Sequence, residues 1–113
     1  MMEKLVRDKM PELCEQNAIN VHGWTPMTYR IATADELGWF LREKLQEETT
    51  ETIIAHASLD INATISEMGD VLDVIDAMCL HFGISRDQVD YARKRKTEAR
   101  GGFSKGIIWD GQY

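Results

Sequence analysis

The chain has 113 residues, 43% of them hydrophobic and 28% charged, a balance that suits one soluble domain over residues 1–113 and excludes disordered and membrane-spanning classes. No apolar run approaches the roughly 20 residues of a bilayer span, and Met1 to Lys9 lacks the apolar stretch of a secretory leader, so a cytoplasmic protein is expected. With 19 acidic against 13 basic residues and a net charge of −6, bulk binding to a nucleic-acid polymer, which needs a basic surface, is excluded too.

Both prolines, Pro11 and Pro26, fall early, leaving the rest of the chain free to be helical. Pro11 suits the first turn of a short helix ending near Gln16 or Asn17. Positions 17–31, with Gly23, Pro26 and β-branched residues, read as a loop with a short extended piece near 28–31. Thr33 followed by Glu36 is a capping box, opening a helix to about His56, roughly 33 Å long. Ser58 or Asp60 opens the next, which runs to Phe82, where Gly83 is placed for a left-handed cap. Ser85 and Gln88 form another capping pair, and the last helix runs to about Arg100 before Gly101 and Gly102 stop it. The tail, 103–113, carries Phe103, Ile107, Ile108 and Trp109 and is expected to dock. The fold class is all-α, a bundle of about four helices. Cys14 and Cys79 have no partner pattern and read as reduced, half-buried thiols.

The informative feature is where the acids fall. On a helix turning about 100° per residue, with Glu48 at zero, Leu41 and Leu45 lie near +20° and +60°, and Leu37 and Ala55 near −20°. Glu48 is thus central to an apolar stripe, and Glu51 sits on its border at about −60°. On the following helix, with Glu67 at zero, Val71, Val74 and Met78 fall at about +40°, −20° and +20°, and Asp70 at about −60°. Glu43, Glu47, Asp73 and Asp76 point away. Either spacing alone reads as a solvated face. Both on apolar stripes of consecutive helices favour a metal site, because like charges about 4 Å apart repel by about 4 kcal/mol at an effective dielectric of about 20. All-oxygen ligation suits Mg²⁺, Mn²⁺ or Ca²⁺ and argues against zinc.

Glu48-x-x-Glu51 and Glu67-x-x-Asp70, with 15 residues between the two motifs, resemble the signature of the all-α nucleoside triphosphate pyrophosphohydrolases, the MazG-like superfamily. The opening Lys4-Leu5-Val6-Arg7-Asp8-Lys9-Met10-Pro11 is similar to the phosphoribosyl-ATP pyrophosphohydrolase-like branch. Lys44–Glu48, Asp70–Ala77 and Arg100–Phe103 agree with it. The resemblance implies cleavage between the α- and β-phosphates of a nucleotide, with Mg²⁺ as cofactor and Mn²⁺ as its alternative. It makes Glu48, Glu51, Glu67 and Asp70 the expected metal ligands, and assigns Glu47, with Glu48, to catalysis through a further ion or the attacking water. Lys96 and Arg100, four apart on one face of the last helix, and Arg7 and Lys9 are the expected phosphate-binding cations. Asp8 is read as an ion-pair partner rather than a ligand. Trp24, Tyr29 and Trp39 are read as packing residues rather than base platforms. Partners are a small nucleotide and a second copy of the chain, as a homodimer or dimer of dimers. The competing reading is a helical adaptor or nucleotide-binding protein that keeps the fold without catalysis, and an exposed apolar tail would favour it.

Overall fold

In the computed structural model, residues 3–16 and 27–112 are described. Helix α1 covers Met10–Gln16, α2 Ala34–Ala57, α3 Ile61–Phe82 and α4 Arg86–Arg100. The caps read from the sequence set these limits. Before α2, the Glu36 amide donates to Thr33 Oγ1 at 3.3 Å while the Thr33 amide donates to Glu36 Oε1 at 2.9 Å. Ser85 and Gln88 repeat the exchange before α4, at 2.8 and 3.2 Å. At the start of α3 it is Asp60, not Ser58, that caps, accepting from the Ala63 amide at 3.0 Å. Gly83 ends α3 at φ 71°, where any side chain would be strained, and its amide reaches back to the Leu80 carbonyl at 3.1 Å.

Only residues 58–60 join α2 to α3, so the two long helices fold back on each other. The hairpin is closed by Leu59, a non-glycine residue at φ 58°, with the Asp60 amide donating to the Ala55 carbonyl at 3.2 Å. This α2–α3 pair is the extensive helix–helix interface among the described residues. Gly38, Leu41, Glu48 and Ala55 of α2 are buried in it, facing Val74 and Cys79 of α3. Gly38 permits the close approach: a Cβ there would lie 3.1 Å from His81 Cε1. Both cysteines are free thiols, Cys79 buried and Cys14 half-buried.

One expectation is corrected. The extended piece near 28–31 is not a strand; residues 27–33 carry no regular structure. A strand needs a neighbour for its ladder, and here Arg30 instead pairs with Glu3 at 3.0 Å and with Glu36. Along the tail, Phe103 is 100% exposed and Ile107 and Ile108 are 82% and 87% exposed, while the Trp109 ring nitrogen donates to the Gln112 carbonyl at 2.7 Å. With α4 and the tail projecting, the chain measures 57 × 36 × 24 Å and its radius of gyration is 18.2 Å, against about 13 Å for a compact chain of this length.

Candidate active site

The α2–α3 interface sets the site because its apolar stripe is interrupted by acids. Glu48 is only 7% exposed, the burial its central place on the stripe predicts. One carboxylate oxygen each from Glu48, Glu67 and Asp70 lie within 4.8 Å of one another. Glu48 Oε2 and Glu67 Oε2 are buried and have no hydrogen-bond partner. Acceptors facing acceptors gain nothing from each other unless a proton or a cation comes between them. Around Mg²⁺, octahedral ligands at about 2.1 Å lie about 3.0 Å from their neighbours and about 4.2 Å from the ligand opposite, so the trio would draw in by about one to two ångströms to close on a hard cation. The donor set fits.

Glu51 lies outside the trio and is exposed. It nevertheless lines a shallow groove with Glu67, near Ala55, Ser58 and Asp60. Desolvation first, then the neighbouring Glu51 and Glu48 carboxyls and the Asp70 charge, push the Glu67 carboxyl up to about 7. A carboxyl that holds its proton more tightly folded than unfolded stabilises the fold only at low pH. For Glu67 that contribution is complete below 4.5 and lost as pH rises through about 7. Glu3, Glu36 and Glu47, held below the ordinary value, act oppositely and only on the acid side of 4.5. Chelator-treated protein is therefore expected to melt at lower temperature as pH rises across the Glu67 window. Added Mg²⁺ is expected to restore the melting temperature at the upper end, which calorimetric scans over a pH series would show.

Three cations line the acids. Lys44 Nζ lies 3.3 Å from Glu48 Oε1 and 3.3 Å from Glu47 Oε2, and Lys4 reaches Glu47 Oε1 at 3.3 Å. Burial alone would raise the Glu47 carboxyl, but the hydrogen bond from Lys4 and the charge of Lys44 hold it below its usual value. It is a carboxylate at neutral pH. Arg7 spans Asp70 at 2.5 Å and Asp73 at 2.7 Å.

The structure thus brings together Glu48, Glu67 and Asp70, with Glu51 and Glu47 flanking and Arg7 beside them. Lys9 is exposed ahead of α1 and makes no ion pair among the described residues. Lys96 and Arg100 are exposed on α4, and neither bonds to the acids within the chain. Asp8 makes no ion pair among the described residues, contrary to expectation. Tyr29 and Trp39 are 61% and 49% exposed, so neither is a core residue; Trp24 lies outside the described residues. Sequence reasoning passed over Lys44 and Asp73. The spacing of Lys44 to Glu47 and Glu48, three and four residues, was a usable signal. Asp73 looked turned away, and only Arg7, 66 positions off, ties it to the site.

This is an all-α chain whose facing helices converge three carboxylates, two with orphaned buried oxygens, a cluster that could hold a metal ion. The family model for phosphoribosyl-ATP pyrophosphohydrolase matches residues 25–95, which take in all of α2 and α3, and the chain belongs to that family of pyrophosphohydrolases. No curated protein and no solved structure matches it significantly.

Proposed function

We propose that the protein is a Mg²⁺-dependent nucleotide pyrophosphohydrolase, acting as one cytoplasmic domain that cleaves between the α- and β-phosphates of a nucleoside triphosphate or related nucleotide. The observation that carries this reading is the convergence of Glu48, Glu67 and Asp70 inside the α2–α3 interface of a chain from this family. Those three residues, with Glu51 at the groove edge, would hold the metal. Bound there, Mg²⁺ would supply charge neutralisation at the phosphates and a water of lowered pKa. Glu47, kept ionised by Lys4 and Lys44, would accept a hydrogen bond from the attacking water and orient it. Arg7, Lys9, Lys96 and Arg100 would bind the phosphates. No side-chain nucleophile is needed, and the products are a monophosphate and pyrophosphate. The test is a panel of ribo- and deoxyribonucleoside triphosphates with and without Mg²⁺. Release of monophosphate plus pyrophosphate supports the reading; release of diphosphate plus phosphate, or no turnover of any nucleotide, overturns it.

The reading includes a second copy of the chain. On α3, Ile61, Ile65, Met68 and Leu72 recur at helical spacing on one face and stay 74%, 64%, 54% and 45% exposed. A small helical protein hides such a stripe by self-association. Light scattering on a sizing column is expected to give two or four times the 12.9 kDa of one chain. Ile65→Asp combined with Met68→Asp should shift it to one chain and lower the melting temperature. The exposed tail is the observation that favours the non-catalytic alternative, in which calorimetry would show nucleotide binding without turnover. No helix among the described residues is long and apolar enough to cross a membrane.

A further inference from the structure

We infer that Arg7 is an exchangeable counter-ion: it holds Asp70 when the metal is absent, yields that carboxylate to the incoming cation, and then serves the substrate's phosphates from Asp73. The inference rests on the metal-site reading above and adds a device to it. One nitrogen of the guanidinium donates to Asp70 at 2.5 Å and another donates to Asp73 at 2.7 Å. Asp70 belongs to the acidic trio, whereas Asp73 does not. Arg7 therefore grips one carboxylate that a metal needs and one that it does not.

Charge decides the consequence. A guanidinium and a divalent cation drawing on the same carboxylate repel each other, and at Asp70, 32% exposed, solvent screens that repulsion only in part. Release from Asp70 is geometrically simple. The Arg7 side chain is 58% exposed, and it lies in the segment before α1, outside every helix. That segment has other tethers, with Glu3 pairing to Arg30 at 3.0 Å and Lys4 to Glu47 at 3.3 Å. Asp73, one turn along α3, keeps the second grip. A guanidinium parked there has donors free in the fork geometry that suits phosphate oxygens. Arg7 also lies outside residues 25–95, the span that the family match covers.

The exchange predicts opposite shifts in two equilibria. In calorimetric titrations of chelator-stripped protein, Arg7→Gln is expected to bind Mn²⁺ about tenfold tighter than the unmodified chain, the scale of one charge-assisted contact. With Mn²⁺ saturating, the same variant should bind the manganese–pyrophosphate complex about tenfold more weakly. Arg7→Lys, which keeps the charge but cannot span two carboxylates, should fall between the two in both titrations. A merely structural loss would weaken both equilibria together. If Mn²⁺ binds Arg7→Gln no tighter than the unmodified chain, or if pyrophosphate affinity is unchanged, the exchange is overturned while the metal site stands. If neither protein takes up Mn²⁺, the metal-site reading falls and the exchange falls with it.

Discussion

Glu48→Gln is expected to lower pyrophosphate release by on the order of a thousandfold or more, because the amide is isosteric but cannot supply the anionic oxygen a hard cation requires. Glu67→Gln should do the same. The two variants differ usefully in stability. Glu67 carries a carboxyl that desolvation first, and its acidic neighbours after it, push up to about 7, so replacing it by an amide removes a charge that the folded state tolerates poorly. Metal-free Glu67→Gln is therefore expected to melt above the metal-free unmodified chain at alkaline pH, and to lose the further rise on adding Mg²⁺. Glu48 has Lys44 at 3.3 Å, which offsets part of its charge, so Glu48→Gln should change metal-free stability less. A pyrophosphate assay run beside calorimetric melts reads both effects. Full turnover in both variants, with folding retained, would remove the carboxylate site from the mechanism.

Leu41→Ala is expected to cost about 3 kcal/mol, the middle of the range for emptying a well-packed leucine site. Leu41 is 2% exposed, among the described residues the most buried hydrophobic side chain, in a core whose other buried hydrophobic members are Ala55, Val74 and Cys79. So few buried groups leave little to take up the cavity. For a chain of this size the loss corresponds to a fall of more than about 10 °C in melting temperature, measured at one fixed protein concentration because association also contributes. Leu41 precedes Glu48 by two turns on the same stripe, so loosened packing there should reach the site. Mg²⁺-induced stabilisation is expected to shrink in this variant although no ligand has been altered. A melting temperature within a degree or two of the unmodified chain would show that the α2–α3 interface is not where the stability of the fold resides.

The site was partly legible before any coordinates. Glu48 and Glu67 stood out because an acid at the centre of an apolar stripe is a local anomaly, visible from periodicity alone. Its neighbours were harder. Glu51 and Asp70 share the same nominal border position on their helices, yet Asp70 joins the trio and Glu51 lies at the groove edge. Helical angle states direction around one axis and says nothing of how far the partner helix extends. Lys96 and Arg100 share a face as expected, but that face turns to solvent rather than to the acids.

Local chemistry written in the chain determined the four helices, since capping boxes at Thr33 and Ser85, the Asp60 cap and the left-handed Gly83 act within three or four residues. It also determined that two acids would be carried into the α2–α3 interface. The tertiary structure alone decided which cations meet those acids and that positions 28–31 form no strand. The Arg7 contacts to Asp70 and Asp73 join positions 63 and 66 residues apart. No periodicity encodes such a pairing; it arises only once the α2–α3 hairpin has closed and placed the opening segment alongside it.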